Sequence, residues 1–425
     1  MKTFRWAAGF AAAFSCATPA WAQSATPDSG DTAWILTATC LVLLMTIPGL
    51  ALFYGGLVRK KNVLSTLMQS FSACCLVTLL WVAVGYSLAF SGQGAWLGNG
   101  AKFFMSGMSK DGLTGTIPET LFMVFQMSFA IITPAVICGA FADRMKFSSL
   151  LVFLGGWLLL VYVPVAHWVW GGGFLAQMGL LDFAGGTVVE INSGVAGLVA
   201  ALMLGKRRGF PQEAMVPHNL TLSVTGASLL WVGWLGFNGG SALAANATAA
   251  LALANTQIAG AAGALAWLAV EWKIHSRPSV LGLISGAVAG LVAITPACAF
   301  VSPMGAIAIG LIAGFACFYV STSVKRRFGY DDSLDVFGVH GIGGIVGTLG
   351  IGLFGSAAWG GTSGLIEGNS QQLLIQAAGC LIVAAWCACA SFALLWAIEK
   401  TMGLRVSREI EIEGLDVNLH GEVVP

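Results

Sequence analysis

"TVVEINSGVAGLVAALML", from Thr187 to Leu204, reads as a membrane-spanning helix. It is apolar and rich in small residues, yet it carries Glu190. A charged side chain at bilayer depth costs ~2.5–3.5 kcal/mol even on a lenient insertion scale. A glutamate kept there needs a partner, and the rest of the chain must supply it.

The surrounding composition supports the membrane reading. The chain has 425 residues, of which 57% are hydrophobic and 9% charged. A soluble domain carries roughly 25% charged residues. This chain lacks the polar shell that a soluble core of its size needs. An all-α membrane protein of many spans is expected. The net charge of +1 gives no bulk attraction to nucleic acid or to an acidic partner.

The N-terminus has the pattern of a secretory signal peptide. Lys2 and Arg5 precede an apolar run from Trp6 to about Ala17, and Ala20-Trp21-Ala22 fits small-x-small cleavage. Residues 1–22 are therefore expected to be cleaved. An uncleaved first span is the alternative, but its apolar run is short for one. The 10 cysteines lie mostly in apolar runs, where Cys acts as a small hydrophobe. Cys387 and Cys389 have neither zinc-ligand spacing nor histidine partners. No disulfide framework, metal or cofactor is expected.

Working outward from Glu190, eleven apolar segments fall near 32–57, 64–90, 119–141, 148–167, 187–204, 217–237, 254–272, 279–296, 303–324, 336–355 and 371–398. Each approaches the ~20 residues needed to cross ~30 Å of hydrocarbon. Basic residues follow the odd-numbered spans: Arg59-Lys60-Lys61, Arg144 and Lys146, Lys206-Arg207-Arg208, Lys273 and Arg277, Lys325-Arg326-Arg327, then Lys400, Arg405 and Arg408. Only Lys102 and Lys110 fall in the other loops of the mature chain. This positive-inside pattern puts the mature N-terminus outside and the C-terminus in the cytoplasm. The signal peptide demands the same orientation. The expected organisation is a signal peptide at 1–22, an eleven-helix transmembrane domain at 23–400 and a cytoplasmic tail at 401–425. The Gly-rich loop at about 91–118 is expected to be a connector. The acidic tail is expected to be solvated on composition alone.

Few ionisable groups fall within the spans. Glu119, Glu271, Glu399 and His218 sit near boundaries and need no special account. His167, before an outer loop, reads as a packing residue. Asp182, where "LLDFAGG" turns into the fifth span, suits an N-cap. Glu190 and His340 remain. They lie five spans apart, so their helices run in opposite directions. This is the arrangement of an inverted five-plus-five repeat whose facing helices meet near the midplane, with the eleventh span outside it. Glu190 is expected to line a pore opposite His340. The alternative is a carboxyl satisfied by Ser193 or a backbone carbonyl. At the outer span ends, aromatics cluster with polar groups: Phe125 and Phe129, Trp170, and Trp234 and Phe237 with Ser241. An aromatic cage with one hydroxyl suits a small cation.

Taken together, these motifs resemble the ammonium transporter, methylammonium permease and Rhesus family, on its bacterial ammonium transporter branch. The resemblance covers nearly the whole mature chain. It rests on "TIPGLALFYGGLVRKKNVLS", "YVPVAHWVWGGGFLAQMGLLDFAGGTVV", "GWLGFNGGS", "TPACAFV", "DVFGVHGIGG" and "EGLDVNLHGE". It implies a homotrimer of eleven-helix protomers in the bacterial inner membrane, each with its own pore. The substrate would be ammonium or ammonia, with methylammonium a further candidate. Phe129, Trp170 and Ser241 would form the outer ammonium site. Phe129 and Phe237 would stack as a gate, Asp182 and Trp234 would support the site, and Glu190 and His340 would line the pore. The family's tail packs on the inner face and couples protomers. Its inner loops bind a PII-type signalling protein.

This sequence departs from the resemblance at Glu190. Most bacterial relatives carry a pair of histidines in the pore; only the second is present here, as His340, and some fungal permeases look similar. A proton relay with altered pH dependence is expected. An ammonium sensor is the first rival, but the tail is short. An electroneutral ammonia or gas channel is the second, but Trp170 and Ser241 match the ammonium branch. An intramembrane enzyme built on Asp182 and Glu190 is rejected, because no nucleophile accompanies them.

Overall fold

A computed structural model describes residues 26–424, so the signal-peptide region at 1–22 lies outside the described residues. The described chain is nearly all helical. It has 10 helices long and apolar enough to cross a membrane: Ser29–Leu57, Lys60–Phe90, Glu119–Phe141, Phe147–Gln177, Gly186–Leu204, Leu220–Gly240, Ala247–His275, Pro303–Phe328, Phe337–Phe354 and Ser370–Thr401. A shorter apolar helix, Val280–Ile294, lies between the seventh and the ninth and completes the eleven expected segments. Its 15 residues rise only ~22 Å, and the chain then turns through Pro296 instead of crossing as helix.

Two boundaries moved for local reasons. The seventh span starts at Ala247, ahead of the expected 254, because Asn246 caps it by accepting the Ala249 N–H at 3.1 Å. The polar residues that obscured this start tie neighbouring helices together. Asn255 donates to the carbonyls of Cys298 and Val301, and Asn238 donates to Thr256. The fourth span runs on past 167, and its end carries His167, Trp168 and Trp170.

The connections after the first, third, fifth and ninth spans gather with the tail on one face, called here the tail face. Arg59 pairs with Asp143, Arg207 with Asp331 and Arg405 with Glu411. The N-terminal face lies opposite. There Asp31 accepts the Ala245 N–H at 2.8 Å, joining the first span to the end of the sixth.

The expectation of a solvated tail, drawn from composition alone, is overturned in favour of the packed tail that the resemblance implied. Glu411 and Asp416 are buried. Glu411 accepts from the backbone of Arg208 and the guanidinium of Arg405. Asp416 takes the N–H groups of Leu64 and Ser65 at 3.0 and 2.7 Å, capping the second span from the far end of the chain. Acidic side chains at helix N-termini and against arginines are stabilising, so the tail docks through its charges.

The loop at 91–118 is also more than a connector. Leu113–Thr114 and Ile117–Pro118 form a small antiparallel hairpin. Trp168 donates to the Trp96 carbonyl at 2.8 Å, and the ring nitrogens of His167 lie 2.8 Å from Ala89 O and 2.6 Å from Gly94 O. His167 thus packs where expected, but as a strap holding the loop to the fourth span. Glu119 pairs with Lys102 and accepts the Tyr86 hydroxyl, so this boundary glutamate does have a specific partner set.

The fifth and tenth spans cross antiparallel at the centre. A methyl group built on Gly194 would fall 2.2 Å from Gly341 N, and one on Gly344 would fall 2.8 Å from the Glu190 Cβ. Only glycine lets the two backbones approach this closely.

Candidate functional site

Glu190 sits in a π-helical turn, Gly186–Ile191, and His340 in another, Phe337–Gly341. Such turns insert an extra residue per turn and re-aim the side chains that follow. Both residues are buried, and His340 Nδ1 lies 2.7 Å from Glu190 Oε2. The alternative partner for Glu190 is excluded: the Ser193 hydroxyl donates to the Glu190 backbone carbonyl at 3.1 Å and leaves the carboxylate to the imidazole.

Each π-turn begins on a buried aspartate. Asp182 accepts the N–H groups of Gly185, Gly186 and Thr187, each at 2.7 Å. It is the expected cap of the fifth span. Asp332 accepts the N–H groups of Val336 and Phe337 at 3.1 and 2.8 Å and caps the tenth span in the same way. The same spacing separates Asp182 from Glu190 and Asp332 from His340. The two halves of the chain thus present the same device from opposite faces.

On the N-terminal side of the pair, Phe129 and Phe237 stack with ring centroids 4.2 Å apart and planes inclined by 38°. Both rings are buried, and Phe237 lines the cavity that holds Glu190. Trp170 meets Phe129 edge-on at 5.9 Å, and its indole N–H donates to the Asp182 carbonyl at 2.9 Å. Ser241 stands one helical turn beyond Phe237 and donates to the Phe237 carbonyl at 2.9 Å, leaving its oxygen lone pairs for an incoming donor. Trp234 packs beside Phe237 at 5.8 Å, locked by an N–H bond to the Thr295 hydroxyl at 2.7 Å. The structure thus brings Phe129, Trp170, Asp182, Trp234, Phe237 and Ser241 together, and Trp234 and Phe237 share a cavity with Glu190 and His340.

Below the stacked rings runs a narrow cavity lined by apolar side chains, among them Ile132, Val136, Leu230 and Val288, with Glu190 and His340 as its ionisable groups. His340 also lines a wider vestibule that opens beside the charged loops of the tail face. A neutral small molecule can cross so apolar a passage far more cheaply than an ion. The buried pair is the one place in it where a proton can be held by side chains.

The sequence reading missed the charges around the tail-face mouth. Arg207 forks onto Asp331, with Nε to Oδ2 at 3.0 Å and Nη2 to Oδ1 at 2.7 Å. Arg144 is wholly buried and donates to the Asp331 carbonyl at 2.6 Å. Asp143 holds Arg59 and Asn62, with its backbone at φ +77, a region that Asp tolerates better than most side chains. Two short motifs, "ADRM" and "YDDSLD", carried the signal: acidic residues beside the basic ends of odd-numbered spans.

Asp332 gives a pH prediction. Burial, reinforced by the charge of Asp335 and opposed by Lys325, pushes its carboxyl up to about 6. A carboxyl raised on folding stabilises the folded state fully below its unfolded value of 3.8, and that contribution is lost as pH rises through about 6. Thermal unfolding in detergent is expected to show stability gained at this site as pH falls from about 6 to about 3.8, the window set by the shift. Asp332→Asn flattens that slope; an unchanged slope refutes the assignment.

Residues 33–424 match the Ammonium Transporter Family. The chain belongs to that family. It is 50% identical over 408 residues to the ammonium transporter of Aquifex aeolicus, covering 95% of this chain and 95% of that relative. Its fold is similar to the crystal structure of Candida albicans Mep2, with a TM-score of 0.84 at 35% identity, covering 90% of this chain and 88% of that one. It is also similar to a structure described as a sensor Amt protein, with a TM-score of 0.86 at 29% identity over 92% of this chain and 98% of that one. As a family member, the chain is a multi-span transporter-type protein, and the residues described above mark its candidate route.

Proposed function

We propose that this protein takes up ammonium by recruiting the cation at Phe129, Trp170 and Ser241, removing a proton, and passing ammonia and the proton separately. The observation that carries the reading is the Glu190–His340 pair held at 2.7 Å in an otherwise apolar cavity behind a stacked phenylalanine gate. Trp170 and Phe129 offer ring faces to a cation and Ser241 an acceptor oxygen. Potassium is close to ammonium in size but has no proton to give up, so it stops at the gate. Glu190 and His340 lie close enough to pass a proton between carboxylate and imidazole.

The same reading places the protein in the bacterial inner membrane as a homotrimer, with the N-terminal face outside and the tail in the cytoplasm. The arginine and lysine bias of the tail-face loops supports this orientation. A PII-type signalling protein at the tail face belongs to the reading as well, supported by the family resemblance.

The deciding experiment is an ammonium step applied to proteoliposomes across roughly pH 5 to 8, the range in which histidine side chains change charge, with a potassium step as control. A saturating current specific to ammonium is expected. Ammonia uptake without current would instead mark an electroneutral channel, and neither signal would mark a sensor. Trp170→Ala is expected to raise the half-saturating ammonium concentration about tenfold, since a desolvated cation–π contact contributes on the order of 1–2 kcal/mol. An unchanged half-saturation in that variant removes Trp170 from the recruitment site.

A further inference from the structure

The segment that carries Asp182 has no regular structure between Gln177 and Gly186. Asp182 still has to hold the cap of the fifth span and the indole of Trp170 together. Asp182 cannot fix its own backbone, so another element must. Two elements do: the Phe183 N–H donates to the Pro296 carbonyl at 3.1 Å after the eighth span, and the eleventh span, which lies outside the repeat, grips Leu181.

Gln376 of this span is wholly buried. Its Oε1 accepts the Leu181 N–H at 2.9 Å, and its Nε2 donates to the Leu181 carbonyl at 2.7 Å. One side-chain amide thus pairs with both polar groups of a single residue, as a neighbouring strand would. Nε2 also donates to the Thr348 carbonyl of the tenth span at 3.2 Å, and Oε1 also accepts from Gln372 Nε2 at 3.0 Å. Both donors and both lone pairs of the amide are therefore occupied. The orientation is forced, because the Leu181 N–H needs the oxygen and the Leu181 carbonyl needs the nitrogen. Gln372 adds a bond to the Gly179 carbonyl at 3.2 Å. Leu181 is followed directly by Asp182, whose carbonyl receives the Trp170 indole.

We propose that Gln376 is a positioning residue for ammonium recruitment, acting through the backbone of Leu181 and Asp182 to set the Trp170 ring. This rests on the function proposed above. It gives the eleventh span a role: to hold the entry loop still against the tenth.

The test is the ammonium current of Gln376→Leu, Gln376→Glu and Gln372→Leu in proteoliposomes, normalised to monodisperse protein. Gln376→Leu keeps the bulk but removes all four bonds. Its half-saturating ammonium concentration is expected to rise about fivefold or more, with the maximal current within about twofold of wild type. Gln376→Glu still accepts from Leu181 but, when ionised, cannot donate to the Leu181 and Thr348 carbonyls. Its half-saturation relative to wild type is expected to improve as pH falls and a proton restores a donor, while that of the Leu variant stays flat. Gln372→Leu leaves three of the four bonds to Gln376 and shifts half-saturation the same way by a smaller factor.

A merely structural role would lower the maximal current and leave half-saturation unchanged, and that result overturns the proposal. Should Gln376→Leu fail to fold, unchanged half-saturation in the other two variants overturns it equally. A wild-type protein without ammonium-specific current refutes the proposed function itself, a different outcome from a saturating wild type matched by its variants.

Discussion

Glu190→Ala lowers the ammonium current by at least ~100-fold, because a positioned proton-transfer group contributes about 10²–10⁴. The variant removes the only carboxylate in the narrow cavity and leaves His340 buried without its 2.7 Å partner. Glu190→Gln separates the two effects. It keeps a hydrogen-bond partner for His340 but cannot take up the proton, so its current is expected to fall nearly as far. Glu190→His places a second histidine beside His340 and is expected to retain current with a displaced pH profile. Ammonium flux and current in Glu190→Ala that both match wild type would show that the proton travels elsewhere.

The second large effect is one of stability. Asp331→Ala leaves Arg207 buried without the forked carboxylate that neutralises it. Breaking a buried ion pair from one side costs about 3–5 kcal/mol. Burial alone would push the Asp331 carboxyl up, but the hydrogen bonds and charge of Arg207 outweigh it and hold the group below its usual value. Its contribution is therefore present above pH 3.8 and lost as pH falls through the lowered value. The effect should reach the tail, because Arg208, next in the chain to Arg207, donates its N–H to Glu411 at 2.9 Å. A lower unfolding midpoint together with faster proteolysis after Thr401 is expected. Exchanging both partners for apolar residues, Arg207→Met with Asp331→Leu, should recover much of the loss, since the desolvation cost disappears with the charges. A single variant as stable as wild type would mean that Arg144 and Asp143 suffice to hold this mouth.

The two predictions rest on residues of unequal legibility. Glu190 stood out because a lone carboxylate in an apolar run is costly, and the count of spans pointed to a helix of opposite direction. Asp331 and Asp143 did not stand out, because a charge at a span end is normally solvated and asks for no partner. In composition the docked tail was hidden for the same reason. Its acidic residues have the composition of a solvated segment, and their partners Leu64, Ser65 and Arg208 lie hundreds of residues away. Gln376 carried no signal at all: a glutamine in a long apolar helix is unremarkable until the loop it grips is seen.

From the sequence alone came the eleven apolar segments, the face on which the basic loops gather, and the requirement that Glu190 find a partner, with His340 as the candidate. These are local properties. Hydrocarbon demands a fixed apolar length from each span whatever its neighbours, so each could be read by itself. The tertiary structure turned the expected Glu190–His340 and Phe129–Phe237 pairings into contacts at 2.7 and 4.2 Å, and it alone decided that Gln376 holds Leu181. Those contacts depend on how helices rotate and cross. In this protein the crossing is set by Gly194 and Gly344 and the rotation by two π-helical turns, and no run of sequence declares either until the fifth and tenth spans are packed together.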